Sequence, residues 1–234
     1  TDKMKTIASY IIFGTMALTV ASCSDGWLDV EPSTAVETDK SINELSDVNI
    51  MLNGIYTTMQ DAYAYSGRLV YYGDACGDDM MAYSSTKRTG NYYTFNFTKD
   101  TAPSTFWSYP YKMIGLCNII LAKIDNLETK ETELRDYYKG QALALRAMLL
   151  FDLTKFYGYP YKKDNGASLA VPIVTTVLDK EANPKRNTVA ECYSQVIADL
   201  KAAVAAMDND EGKAFHKGHI NLYGAQTLLS RVYL

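Results

Sequence analysis

The chain of 234 residues carries 23 basic and 27 acidic side chains, for a formal net charge of −4. This length is ample for a buried core. The acidic balance argues against nucleic acid as a partner, because such partners require clustered Lys and Arg.

The first 23 residues have the pattern of a bacterial lipoprotein signal. Lys3 and Lys5 precede an apolar run over 7–21, and the sequence Val-Ala-Ser-Cys over 20–23 has the small residues of a lipoprotein cleavage site. A transmembrane anchor is the alternative, but polar residues interrupt a run that is barely long enough to span a bilayer. We therefore predict a signal peptide over 1–22 and a lipid on Cys23 that anchors the protein to a membrane.

Helical spacing of apolar residues recurs along the rest of the chain. It predicts helices from about 42 to 61, from about 108 with Pro110 in the first turn, and from about 218 to the end. A capping box, Thr188 to Glu191, opens a further helix. Residues 169–174 include three β-branched side chains and a proline, so we expect an extended connection there. The sequence as a whole predicts an all-α array.

The most apolar stretch outside the N-terminus, 139–161, is predicted to be the centre of this array. We place a helix over 132–157, with Gly158 and Pro160 as its stop. It is apolar on nearly every side, so other helices must surround it. Its Arg146 cannot reach Asp152 and therefore needs acceptors from a neighbouring element.

The cysteines indicate no disulfide framework. Cys117 and Cys192 fall on apolar helix positions and are predicted to be buried thiols, whereas Cys76 is expected in a loop. The spacing of Ala147, Phe151 and Pro160 also echoes part of a tetratricopeptide unit, which is a weak signal by itself.

Segments along nearly the whole chain resemble, in order, the SusD/RagB family. They are CSDGWLDVEPS from Cys23, LNGIY from Leu52, YKMIGLCNIILAKI from Tyr111, GQALALRAMLLFDLTKFYGYPY from Gly140, AVPIV from Ala170, PKRNTVAECYSQVIADLKAAV from Pro184 and GAQTLLSRVYL from Gly224. The resemblance implies a surface-exposed outer-membrane lipoprotein of Bacteroidetes with tetratricopeptide-like helices. It also implies a partner, a SusC-like TonB-dependent transporter, over which the lipoprotein acts as a lid during glycan uptake.

Members of that family are considerably longer than this chain. The apolar helical pattern also continues to the last residue, Leu234. We therefore expect residues 23–234 to form the N-terminal helical region of an incomplete domain, with part of the ligand surface contributed by the other half.

An irregular, aromatic-rich loop region is predicted over 63–111, which holds nine of the 19 tyrosines. Sugars present apolar faces and polar rims, so rings edged by polar groups are their physical complement. The alternative is that these rings pack the loops onto the helices, and residues 92–97 could also form a short strand. The candidate ligand-binding residues are Tyr83, Tyr92, Tyr93, Trp107, Arg68, Asp79 and Asn91.

Enzymatic and metal-binding patterns are weak. Asp78 and Asp79 are adjacent and cannot face each other across a glycosidic bond. The acidic stretch over 208–212 lacks the later ligands of a calcium loop, and His216 and His219 have no further ligands at zinc spacing. We therefore expect a protein that is not an enzyme and that needs neither a metal nor a cofactor.

Two functional hypotheses remain. The first is a glycan-binding lipoprotein that delivers oligosaccharide to a TonB-dependent outer-membrane transporter. The second is a tetratricopeptide-type scaffold whose aromatic loops bind a peptide or protein.

Overall fold

The computed structural model describes residues 42–77, 79–83, 90–98, 103–179, 181–209 and 218–234. Within them the chain forms helices and no strand longer than a single bridge, between Leu169 and Thr188, which confirms the predicted all-α class. The helices are α1 (Leu45–Met59), α2 (Arg68–Cys76), α3 (Gly90–Tyr93), α4 (Thr105–Lys123), α5 (Thr132–Tyr157), α6 (Val189–Ala206) and α7 (Leu222–Tyr233). The predicted signal peptide and Cys23 lie outside the described residues.

The helix ends follow local sequence signals. Helix α5 has the predicted bounds, and the predicted capping box opens α6: the backbone N–H of Glu191 donates to Thr188 Oγ1 at 3.2 Å, and the Thr188 N–H donates to Glu191 Oε2 at 2.7 Å. Helix α4 begins three residues earlier than expected, so Pro110 lies in its second turn rather than its first. Helix α7 begins later than expected, because Asn221 caps it through the Gly224 N–H.

Helix α5 is the centre of the fold, as its composition predicts. It packs against α4 and α6; α1 packs against α4, and α7 against α6. Leu145, Leu149 and Leu153 of α5 are each no more than 1% exposed. Burial of such side chains contributes roughly 1.5–3 kcal/mol each, so this helix contributes a large share of the hydrophobic stabilisation. Among the described helices, none is both long and apolar enough to cross a bilayer.

The buried charge of Arg146 finds its acceptors on other elements, as expected. Its guanidinium donates to both carboxylate oxygens of Asp199 on α6, each at 2.7 Å, and to Asn118 Oδ1 on α4 at 2.9 Å. Asp152 has separate partners, Tyr65 and Lys155. These contacts fix α5 against its neighbours at defined registers, because a buried charge without a partner is costly.

The cysteine predictions hold for two of three thiols. Cys117 and Cys192 are fully buried, and burial raises the pKa of Cys117 to about 12. Cys76 is the last residue of α2 rather than a loop residue, and its thiol lies 3.6 Å from the Tyr92 carbonyl oxygen. The short helix α2 is therefore tied to α3 in the region that the sequence analysis treats as irregular.

Candidate ligand-binding site

A cluster of packed rings occupies the centre of the aromatic-rich region. Tyr72 lies 5.3 Å from both Tyr92 and Phe106 and 5.5 Å from Phe156, measured between ring centroids. Phe97 completes this aromatic cluster at 6.1 Å from Tyr72. The cluster joins α2, α3, α4 and α5, so several of the rings in this region serve packing rather than ligand binding.

Tyr92 belongs to that cluster and is only 4% exposed. Residues 90–93 form a helical turn and not the strand considered from the alternation over 92–97, so Tyr92 and Tyr93 point about 100° apart. Tyr93 is 40% exposed. The buried ring of Tyr92 offers no free face to a sugar in this structure, whereas the ring of Tyr93 does.

Arg68 lies in the first turn of α2, beside the cluster. Its guanidinium stacks over the Tyr63 ring at 4.1 Å from the centroid, an arrangement that leaves donors at the guanidinium edge. Burial raises the pKa of Tyr92, and the positive charge of Arg68 opposes that rise, which reflects how near Arg68 is to the cluster. Asn91 is half-buried on α3, next to Tyr92.

The remaining loop candidates are exposed. Asp79 and Tyr83 follow α2, and the Tyr83 side chain is fully open to solvent. Asp78 lies outside the described residues. The structure thus places Arg68 near the aromatic cluster, and Asn91 and Tyr93 on the same helical turn as Tyr92. It gives Tyr83 no packing partner among the described residues.

Trp107 stands on the other side of the cluster, one residue after Phe106. Its ring lies 5.0 Å from the rings of both Tyr111 and Tyr157, and 38% of the residue is exposed. It lines an open apolar groove of about 560 Å³ between α4 and residues 172–178. The walls of this groove include Trp107, Tyr111, Leu116, Ile119, Val174 and Leu178.

Polar side chains beneath the surface hold the far wall of the apolar groove. Asn118 Nδ2 donates to the carbonyls of Val174 and Thr176 at 3.1 and 3.0 Å, and Arg146 donates to the Thr175 carbonyl at 3.2 Å. Tyr111 donates its hydroxyl to the Pro172 carbonyl at 2.8 Å, and burial raises the pKa of that phenol. The segment over 172–176 is therefore held in place by hydrogen bonds to four of its five carbonyls.

A second, polar cleft of about 500 Å³ lies between the end of α1 and the start of α4. It is lined by Thr57, Thr58, Gln60, Asp61, Tyr109 and Lys112. Lys112 also lines the apolar groove, so the two depressions share a side chain. Neither depression is predicted from the sequence, because residues far apart in the chain form them. The one available signal was a polar residue, Asn118, on an apolar helix face.

No group of three His, Cys, Asp or Glu in the described part of the chain is placed to hold a metal ion. His219 stacks flat on Tyr56, with ring centroids 4.2 Å apart and an interplanar angle of 4°. His216 and most of the acidic stretch over 208–212 lie outside the described residues.

The helices packed around α5 define an all-α, tetratricopeptide-like class of fold. Residues 26–234 match a family model named SusD-like_3, described as starch-binding and associating with the outer membrane. The chain belongs to this SusD-like family. A comparison with curated proteins gave no match.

Solved structures agree with this assignment. A candidate sugar-binding protein from Bacteroides vulgatus ATCC 8482 is 59% identical, with a TM-score of 0.78. The match covers 83% of this chain and 43% of that protein's chain. A SusD superfamily protein from Bacteroides thetaiotaomicron VPI-5482 is 36% identical, with a TM-score of 0.72, over 82% of this chain and 42% of its own. A laminarin-binding SusD-like protein shares the fold at 23% identity and a TM-score of 0.65, over 82% of this chain and 40% of its own. The chain thus spans less than half the length of these structures.

Proposed function

We propose that this protein is the glycan-binding component of an outer-membrane uptake system and not an enzyme. The observation that carries the proposal is the exposed ring of Trp107 beside an open groove, in a chain that belongs to a family described as starch-binding. The 59% identical candidate sugar-binding protein supports the same ligand class.

The chemistry of the surface suits this function. A sugar ring stacks its C–H face on an exposed aromatic ring, and its hydroxyls need donors and acceptors at the rim. Trp107 and Tyr93 are partly exposed rings, and Arg68 and Asn91 lie beside the aromatic cluster. Tyr83 and Asp79 complete the proposed set from the loop after α2, and Tyr92 supports it from inside the cluster.

Calorimetric titration with a panel of polysaccharides tests this proposal. An aromatic anchor at a binding hot spot contributes roughly 2 kcal/mol or more, about thirtyfold in affinity. Trp107→Ala should therefore weaken glycan binding at least thirtyfold. Tyr159→Ala, an exposed ring that contacts Lys163, is the matched control and should bind like the parent. Retention of peptides, with no polysaccharide bound, would instead favour the peptide-binding scaffold.

We further propose that the protein is anchored at the cell surface through Cys23 and delivers oligosaccharide to a SusC-like TonB-dependent transporter. The lipobox over 20–23 and the family description of outer-membrane association support this placement. Cys23→Ala should block lipid attachment, so that the protein leaves the detergent fraction or accumulates uncleaved. Unchanged membrane partition and processing would contradict the anchor, and failure to co-purify a transporter from native membranes would contradict the partner.

A further inference from the structure

We propose that the apolar groove and the polar cleft form one bipartite site for a saccharide that carries an apolar aryl or acyl substituent. This inference rests on the proposed glycan-binding function and names the class of glycan. The sugar would occupy the cleft and its substituent would occupy the groove. Lys112 lines both, so its side chain marks the place where they join.

The polar cleft has the donors and acceptors that a sugar requires. The hydroxyls of Thr57 and Thr58 donate to the backbone carbonyls of Asn53 and Gly54, at 2.8 and 2.9 Å. Their protons are therefore used, and each hydroxyl oxygen is left as an acceptor for a ligand. Asp61 uses Oδ1 to accept the Tyr63 N–H at 2.7 Å, which leaves Oδ2 for a ligand hydroxyl.

Gln60, Tyr109 and Lys112 supply donors on the same cleft, and the Tyr109 ring is half-buried there. The carboxylate of Asp61 and the ammonium of Lys112 together add no net charge. The cleft therefore has no net charge to select an anion or a cation, and its donors and acceptors match a neutral, hydroxyl-rich ligand.

The groove has the opposite character. Trp107, Tyr111, Leu116, Ile119, Val174 and Leu178 present mainly carbon to it. A sugar buried deep between these walls would lose water from its hydroxyls and find few partners, Lys112, Thr176 and Asn183, so a sugar ring suits only the exposed face of Trp107 at the edge of the groove. A flat or branched apolar group instead gains by leaving water and by contact with the rings of Trp107 and Tyr111.

The groove is also preformed. Its wall at 172–176 is fixed by Asn118, Tyr111 and Arg146, two of which are themselves buried. A rigid wall does not have to be ordered when the ligand binds, so less of the binding free energy is lost. A volume of about 560 Å³ leaves ample room for a single aromatic ring with its ester or ether link.

The test uses 4-nitrophenyl glycosides, with methyl glycosides of the same sugars as the comparison. A nitrophenyl group quenches tryptophan emission at short range. The 234 residues contain two tryptophans, Trp27 and Trp107. In a protein of this sequence that carries Trp27→Phe, Trp107 on the groove wall is the reporter. We expect saturable quenching of Trp107, and at least tenfold tighter binding of the nitrophenyl glycoside than of the methyl glycoside, measured by competition.

Two variants separate the halves of the site. Leu178→Asp places a charge at the groove, where the native side chain is 45% exposed, and should reduce the tenfold aryl advantage to nearly none. Leu169→Asp, at a similarly exposed position away from the groove, is its control and should keep the advantage. Gln60→Ala should weaken nitrophenyl and methyl glycosides by the same factor, because it changes only the cleft.

Several results would overturn the inference. They are equal affinity for the two glycosides, absence of Trp107 quenching, an aryl advantage that survives Leu178→Asp, and binding of free 4-nitrophenol as tight as that of its glycoside. Any of these, with polysaccharides still bound in the panel, leaves the proposed function standing. If neither polysaccharides nor glycosides bind, both the proposed function and the bipartite site are contradicted.

Discussion

Arg146 of α5 and Asp199 of α6 form a two-pronged ion pair, with Nε to Oδ2 and Nη2 to Oδ1 distances of 2.7 Å, in residues that are 8% and 4% exposed. The remaining guanidinium nitrogen binds Asn118 and the Thr175 carbonyl, and Gln195 also donates to Asp199. One buried pair therefore connects three helices to the wall of the apolar groove.

Removing one partner of this pair should lower the free energy of unfolding far more than replacing both partners by apolar residues. Asp199→Ala leaves a buried guanidinium without its carboxylate and should lower the free energy of unfolding by about 3–5 kcal/mol. The double change Arg146→Met with Asp199→Leu should cost much less, since apolar residues of similar size can replace a buried ion pair. Urea denaturation measures both. Equal losses in the two proteins would mean that packing, and not the uncompensated charge, sets the cost.

Gly140 of α5 packs closely against the C-terminal end of α6. A Cβ there would lie 2.3 Å from Met207 Cγ and 3.1 Å from the Ala203 carbonyl oxygen, and Met207 is fully buried. Gly140→Ala should therefore destabilise the protein by about 1–3 kcal/mol, as overpacking does, although alanine favours helix.

Gly54, in α1, is the matched control, because a Cβ there meets no atom within 4 Å. Gly54→Ala should stabilise by about 0.5–1 kcal/mol, from helix propensity alone. Chemical denaturation of the two variants checks the contrast. If Gly140→Ala proved as stable as Gly54→Ala, the two helices would not be in such close contact.

Tyr92 and Tyr93 are adjacent in the sequence, but their replacement by alanine should have different effects on stability. Tyr92→Ala removes a buried ring from the aromatic cluster and should cost about 3 kcal/mol of stability, as truncation of a buried aromatic does. Tyr93→Ala removes a partly exposed ring and should change stability by no more than about 0.5 kcal/mol. If Tyr93 stacks on a sugar, its loss should weaken glycan binding by about thirtyfold. Thermal melts and calorimetry on the same samples separate the two effects.

The capping box of α6 should add a pH-dependent contribution to stability. Hydrogen bonds from the Thr188 N–H, the Thr188 hydroxyl and Asn187 hold the pKa of Glu191 below its ordinary value of 4.5. A lowered folded-state pKa means that the folded protein favours the carboxylate. Its contribution is therefore complete above pH 4.5 and is lost as the pH falls through the lower, folded-state value.

Melting temperatures of the parent and of Glu191→Gln test this directly. The difference between them should be constant near neutral pH and should shrink steadily on acidification below pH 4.5. Glu181→Gln, on an exposed loop, controls for the loss of one negative charge. A difference that did not depend on pH would show that the carboxylate is not what caps the helix.

Local sequence signals determined the longer helices of this protein, but not the short helices α2 and α3, which lie in the region predicted to be irregular. The bounds of α5, the capping box at Thr188, the burial of Cys117 and the need of Arg146 for partners on another element all follow from periodicity, end signals and the cost of a buried charge. These properties depend on residues within a few turns of one another, so a single chain without its contacts is enough to reveal them. Membership of the SusD-like family was likewise visible in ordered sequence segments.

The tertiary structure decided which surfaces are open. Tyr92 is buried and Tyr93 is partly exposed because rings of α2 and α4 pack against one face of a single helical turn. The apolar groove exists because Tyr111 and Asn118 bind carbonyls of residues 172–176, more than fifty positions away along the chain. Periodicity says which side of a helix is apolar, but only these distant contacts decide whether that side is covered or left open to a ligand.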